Sequence, residues 1–580
     1  MATRPNRIKY LTDAEIQELL AQSDGELSDI DDPDFENIPE SDTDSENLEN
    51  DSLVYEEIDQ PSTSKVGQKR KRIRTRWDNS EFMNFNLDDL PLEFRDTGFQ
   101  GEVLSPTEYF TNFFPEIFWK ECVEQTNLYA FEKKGDRYTS TDIKEVKIFA
   151  GIHIIMGVLQ MPQIRMYWSK TCNVPKITEN MNRNRFYELR NTLHFVDKNN
   201  MTESQKRDKL FLVRPILEVF RNACLTLPRT ECLSIDEQMM PFSGRCPMRQ
   251  YLPSKPNPVG LKIFVLAAPD GLVLDFLIYT GADTVLVEDK QLYGLGGAVV
   301  KHLVGTIPTA KVTHIFTDRY FTGLAILDYL VSRNIYLTGT VMTNRTDGVA
   351  GSFPKDIDME RGSSVSRRRE DGKACLVKWK DKKSVLLLSS AFGIKPEGSC
   401  KRWAKEQRQR VDVRQPAIVR SYNTYMGGVD MMDRLISYYR ISTRTKKWTM
   451  RVFAHFLNMA TCNAWIMYIR HCKHCEIPLK NRLHLIDFKL AIAESLIKAE
   501  VSEEAVQERP QRRKYQHFVP LPVNDVRYDR TGHFPEHVKR ENQMKCRLPG
   551  CPGKSRVRCI KCDLYLCLQN RNCFFEFHNK

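Results

Sequence analysis

Tyr422-Asn423-Thr424-Tyr425-Met426-Gly427-Gly428-Val429-Asp430-Met431-Met432-Asp433 is the stretch on which the fold turns. Two glycines stand directly before an apolar residue and an aspartate, and a helical pattern follows through Leu435, Ile436, Tyr438 and Tyr439. Gly427-Gly428 permits a tight turn or a close approach of the backbone to something else. Asp430 then falls at or near a helix N-terminus, with Asp433 three residues on over the same face. One reading is an aspartate cap with a second charge in the first turn. The other is a carboxylate presented at a helix start to a divalent metal, which requires partner carboxylates elsewhere in the chain.

Two partners stand upstream. Cys232-Leu233-Ser234-Ile235-Asp236-Glu237 reads as a short strand carrying Asp236. Leu261–Ala268 and Leu272–Tyr279 are two further strands around the hairpin signal Pro269-Asp270-Gly271. Thr313-His314-Ile315-Phe316-Thr317-Asp318 is a strand ending on Asp318, and residues 322–332 read as a helix. The order is strand with Asp, hairpin, strand ending in Asp, helix, and later a helix opening with Asp. It matches an α/β (α+β) RNase H-like core, in which two strand aspartates and a helix-borne carboxylate converge on two divalent metals. Such metals need hard oxygen ligands, and crowded carboxylates need a cation between them. A lone aspartate at a strand end is ordinarily a turn residue; three in this order point to catalysis.

Charge identifies the partner. Residues 1–64 hold three basic residues against nineteen acidic ones, a net charge of −16; the whole chain of 580 residues is +11, so the body carries +27. A basic body with an acidic tail points to nucleic acid as the partner. The tail, residues 1–76, is too polar to bury a core, and ends in the basic run Lys69-Arg70-Lys71-Arg72, which reads as a nuclear localisation signal. No signal peptide is visible, and the apolar run near Ile148–Met161 is too short to span a bilayer. A nuclear protein with no membrane partner is expected.

The remainder divides into a linker (77–104), a helical region for dimerisation or DNA binding (105–231), the first part of the core (232–345), a β-rich insertion (346–410), the last part of the core (411–434), a second helical DNA-binding region (435–505), a linker (506–530) and a cysteine-rich end (531–580). Ser105-Pro106-Thr107-Glu108 signals a helix start. Further helices are expected over Asp142–Met156, Asn182–Leu193 and Val213–Leu227. Arg440, Arg444, Lys446 and Lys447 interleave with Trp448, a pattern suited to phosphate contact and stacking. At the C-terminus, Cys546, Cys551, Cys559, Cys562, Cys567, Cys573 and His578 fall within a short span, with His533 and His537 upstream. This spacing predicts two structural Zn2+ ions in a cross-brace, with His533 as the eighth ligand and His537 as its rival. Spacing alone leaves DNA binding, chromatin reading and ubiquitin ligation open for this segment.

Several stretches together resemble the piggyBac-type transposases and the piggyBac transposable element-derived proteins. They are Ser234–Glu237 with Met240-Pro241-Phe242, Gln250–Pro256 with Gly260-Leu261-Lys262, Phe316–Thr322, Leu337–Val341, Tyr422-Asn423 with Met426–Asp433, and Lys446-Lys447-Trp448. The resemblance implies a cut-and-paste DNA transposase that acts at inverted terminal repeats with TTAA targets; because two DNA ends must be paired, a homodimer on DNA is expected. It assigns the catalytic, Mg2+-binding aspartates to Asp236, Asp318 and Asp430, with Asp433 as an additional acidic site residue and Trp448 near the transposon end. Arg319 stands where the family usually has Asn, and Met342 where a basic residue is common, with Arg345 a nearby source of positive charge. The alternative is a domesticated, sequence-specific DNA-binding protein without cleavage activity.

Overall fold

Residues 232–241 form a strand buried on both faces over most of its length, and the main sheet is built around it. The structure, a computed structural model, describes residues 76–84, 102–498, 522 and 527–579, apart from 200, 254–256, 308–312, 405–406, 443, 540–542 and 570. The acidic tail and Lys69–Arg72 lie outside the described residues. The chain divides between Val501 and Ser502 into two units.

In chain order, the first unit contains β1 (Trp77–Asp78), α1 (Pro106–Thr111), α2 (Glu116–Lys134), α3 (Ile143–Val158), α4 (Arg183–Thr192) and α5 (Arg214–Thr226). Next come β2 (Cys232–Pro241), β3 (Arg249–Tyr251), β4 (Val259–Ala267), β5 (Val273–Ile278), α6 (Val287–Val304), β6 (Thr313–Thr317), α7 (Leu324–Ser332) and β7 (Ile335–Thr340). The strands β8 (Ser364–Arg369), β9 (Cys375–Lys380), β10 (Ser384–Ser389), β11 (Gly398–Ala404) and β12 (Gln409–Gln415) lead to α8 (Ala417–Tyr425), α9 (Gly428–Tyr438), α10 (Trp448–His474) and α11 (Leu485–Lys498).

The expected helix starts are capped as the sequence indicated. Ser105 and Glu108 form a reciprocal capping box, and Asp142 and Asn182 cap α3 and α4. The hairpin between β4 and β5 turns at Gly271, whose φ of 100° favours glycine. One mixed sheet runs β1-β8-β9-β10-β7-β6-β2-β4-β3, with β5 on the other edge of β4. Strands β2, β6 and β7 are mutually parallel, and β2 is antiparallel to β4.

The structure adds three things. Strands β8 to β10 do not stand apart as an insertion; β10 pairs with β7 and carries the same sheet outward, and only β11 and β12 form a separate hairpin. Residues 77–84, expected as linker, are tied down: Trp77 and Asp78 pair with Arg369 and Arg368, and Phe82 is buried. Their apolar rings supply the driving force that a polar linker lacks. Helix α6 was not foreseen, because Gly294, Gly296 and Gly297 interrupt its apolar period.

The helices and the sheet share one core, continuous from Tyr109 to Ile497. Helix α10, 27 residues and therefore about 40 Å long, is buried along most of its length. No described helix is long and apolar enough to cross a membrane.

Candidate active site and metal centres

Asp236 and Asp318 are brought side by side by strand register. Ile235 stands opposite Thr317 on the parallel strands β2 and β6, and each aspartate is the next residue along the chain, Asp236 within β2 and Asp318 just past the end of β6. Both are half-buried. The Asp318 carboxylate accepts a hydrogen bond from Tyr320 N at 2.8 Å, and its carbonyl accepts from the Thr322 hydroxyl at 2.7 Å, closing the loop between β6 and α7. Arg345 donates from Nη1 to Tyr320 O at 2.5 Å. The positive charge expected near the DNA is therefore engaged with the backbone of the loop that carries Asp318.

Asp430 reaches the same place through a close approach. A Cβ on Gly428 would lie 2.5 Å from Ala268 O and 2.5 Å from Ser234 Oγ, so only glycine lets α9 start against β2. Asp430 stands in the first turn of α9, which favours a carboxylate electrostatically. We expect Gly428→Ala to cost about 2–4 kcal/mol, because one of the two clashes is with backbone, and to reduce activity beyond that loss. Urea unfolding beside an excision assay measures both.

Tyr422, on α8, stands beside the candidate site. Its half-buried hydroxyl is pushed up to about 12, first by burial and then by the carboxylates of Asp318, Asp236 and Asp430, against an opposing hydrogen bond with the Thr340 side chain. One hydroxyl thus lies within electrostatic reach of all three. Asp433, one turn further along α9, accepts from Gln238 Nε2 at 2.8 Å.

The basic segment divides. Arg444 and Lys446 are exposed, while Arg440 and Trp448 are half-buried, the indole packing against the core. Lys447 turns inward: Nζ donates to Leu193 O at 2.8 Å and Asn191 O at 3.1 Å, at the C-terminal end of α4, and lies 5.9 Å from the Tyr129 ring centre. Burial pulls its pKa down to about 7. The structure thus corrects its reading as a phosphate contact: helix-end carbonyls and an aromatic face claim the ammonium.

The second unit contains β13 (Pro535–His537), β14 (Met544–Lys545), β15 (Lys554–Ser555), β16 (Val557–Cys559) and α12 (Cys573–His578). Its cysteines and histidines form two tetrads, His533, Cys559, Cys562 and His578, and Cys546, Cys551, Cys567 and Cys573. Within each tetrad the ligand atoms all lie within 4.8 Å of one another. The pairs alternate along the chain, as a cross-brace requires. His533 completes the first tetrad, and His537 sits exposed on β13, outside it. All sixteen cysteines are free thiols.

The chemistry of both tetrads fits zinc, which takes four nitrogen and sulfur ligands. The imidazoles are also oriented for it. His533 Nε2 bonds Asp529 Oδ1 at 3.1 Å, leaving Nδ1 toward Cys562; His578 Nδ1 bonds Phe574 O at 2.8 Å, leaving Nε2 toward the same sulfur. Outer partners of this kind fix the tautomer of a metal-binding histidine. The backbone N–H of Gly553, with Arg571 behind it, holds the Cys551 thiol down to about 6.

A profile of the family described as Transposase IS4 matches residues 105–465. Human PiggyBac transposable element-derived protein 3 is 29% identical over 487 residues, covering 82% of this chain and 76% of the relative. The chain belongs to the piggyBac-type transposase family. Human PiggyBac transposable element-derived protein 2 is 29% identical over 418 residues, covering 71% of this chain and 69% of that one. The fold is that of a piggyBac transposase solved in a synaptic complex with hairpin DNA, with a TM-score of 0.57 and 23% identity over 80% of this chain and 95% of that one.

Within that family fold, three features escaped the sequence reading. Tyr422 carries no sequence signal that sets it beside the carboxylates. Gln238 lies two residues after Asp236, a spacing that puts both on one face of a strand. Lys262 is buried beside Glu237 at 4.0 Å and lies 4.7 Å from the centre of the Tyr320 ring, bracing the Asp318 loop.

Proposed function

We propose that this chain is a piggyBac-like cut-and-paste DNA transposase, cleaving and joining DNA at inverted terminal repeats with TTAA targets. The observation that carries the proposal is the strand register that sets Asp236 beside Asp318, with Asp430 brought to the same strand by the close approach of Gly428. The strand order β5-β4-β2-β6-β7, antiparallel and then parallel, supports an RNase H-like core. Three carboxylates are a hard-oxygen donor set of the kind Mg2+ takes, and these residues would hold two Mg2+ ions. When bound, such ions activate the attacking oxygen and stabilise the leaving 3′ oxygen.

The chain's own residues orient and compensate. Asp236 and Asp318 are fixed by strand register and Asp430 by the Gly428 contact. The hydroxyl of Tyr422 keeps its proton at neutral pH and can donate a hydrogen bond into the acidic site. The +27 body supports duplex DNA as partner through phosphate neutralisation, with Arg440, Arg444, Lys446 and Trp448 as contacts. The two tetrads would hold two structural Zn2+ ions in a unit that grips the terminal repeats. Pairing two DNA ends calls for a homodimer, and the substrate places the protein in the nucleus, consistent with Lys69–Arg72.

Arg319 and Met342 favour one other reading, a domesticated DNA-binding protein without cleavage, because both replace residues the family uses beside the site. Excision in cells separates the two. With the element's own flanking repeats around a reporter, wild type should excise it and restore TTAA. Repeats bound without excision would establish the domesticated reading.

A further inference from the structure

Helix α9 is fixed on strand β2 at two points. The first is the contact of Gly428 with Ser234 and Ala268. The second is the hydrogen bond from Gln238 Nε2 to Asp433 Oδ1 at 2.8 Å. Ser234, Asp236 and Gln238 alternate along β2 and share a face. Asp236 therefore lies between the two anchors on the strand, and Asp430 lies between them on the helix.

Gln238 is fully buried, and its amide has one satisfactory orientation. Nε2 must face the Asp433 carboxylate, which only accepts, so Oε1 accepts from His455 Nε2 at 3.0 Å. His455 is 7% exposed and stands on α10, the helix that opens with Trp448. Burial, and behind it the guanidiniums of Arg440 and Arg451, hold its imidazole down to about 3. The ring is neutral, with its one proton on the nitrogen that faces Gln238.

We infer that Gln238 is a positioning residue that ties α9 to β2 and α10 and so holds Asp430 against Asp236, and that Asp433 serves this tie and does not ligate the metal. The inference rests on the proposed reading of Asp236, Asp318 and Asp430 as the catalytic carboxylates. A broken tie would leave the three ligands present but misplaced.

An exchange of the two partners tests it in the full-length, zinc-loaded protein. Gln238→Glu sets a carboxylate against that of Asp433, and excision should fall at least about 50-fold through like-charge repulsion. Adding Asp433→Asn restores both bonds of the tie, since Asn Nδ2 donates to the new Glu, which still accepts from His455. The double variant should return to within about fivefold of wild type, the coupling expected of residues in direct contact. Two readouts do not depend on excision. The melting temperature should fall in Gln238→Glu and recover in the double variant. Titration with Mn2+ should give the double variant wild-type affinity, while Asp430→Asn binds at least about tenfold more weakly.

A double variant as inactive as Asp430→Asn, with Mn2+ affinity equally weakened, would overturn the inference and make Asp433 a ligand. Should Gln238→Glu alone fail to fold, recovery of a folded double variant supports the tie, and failure to recover overturns it. If wild type excises nothing, the proposed function fails, and the melting and Mn2+ arms decide the inference by themselves.

Discussion

Asp236→Asn will lower strand cleavage at the terminal repeats by at least about 1,000-fold, the scale on which removing a central catalytic group acts, and will leave folding and DNA affinity nearly unchanged. The substitution is near-isosteric and removes one charge. Asp236 Oδ1 accepts from Glu237 N at 2.8 Å, and an asparagine oxygen keeps that bond. What the substitution removes is one negative charge from the proposed metal site. Asp318→Asn and Asp430→Asn should fall in the same range, because each removes one of three hard-oxygen donors. The check is gel-resolved cleavage of a labelled repeat duplex, with binding and melting measured on the same preparations. Cleavage within tenfold of wild type in any of the three would remove that residue from the catalytic set.

Removing zinc will unfold the second unit while the first stays folded. The core of residues 527–579 is small, resting on Val557, Leu564, Leu566, Phe574 and Phe577 together with the cysteines themselves. So little apolar surface does not offset the entropy of ordering the segment. Structural zinc supplies about 10–16 kcal/mol of apparent binding energy in peptides of this kind, enough to make the metal decisive. Metal analysis should find two zinc ions per chain. After chelation, limited proteolysis should remove the C-terminal segment and spare the sheet. Less than one zinc per chain, or a segment that resists protease after chelation, would contradict the two-site reading.

What was legible in the sequence was local. The cap residues, the hairpin at Gly271, the strand that ends at Asp318 and the helix that begins before Asp430 are written in short-range pattern. So were the two tetrads, because alternating cysteine pairs allow few arrangements. What was not legible depended on distant partners. The side chains of Lys447 and Arg345 are long, and whether they face DNA or a carbonyl is decided by α4 and by the loop after β6. The β-rich character of residues 346–410 was visible, but that β8 to β10 extend the main sheet depends on a free edge of β7, which no local pattern records. Gly428 shows the boundary between the two: its freedom was readable from the glycine pair, and the surface it touches was not.

In the proposed function Asp236, Asp318 and Asp430 form one divalent-metal site, and Mn2+ binding to the zinc-loaded full-length protein reads that site without relying on excision. Two Mn2+ ions per chain are expected in the wild type, with affinity lost at least about tenfold in each of Asp236→Asn, Asp318→Asn and Asp430→Asn. Mn2+ binding that is absent, or that all three variants leave unchanged, would contradict the proposed site.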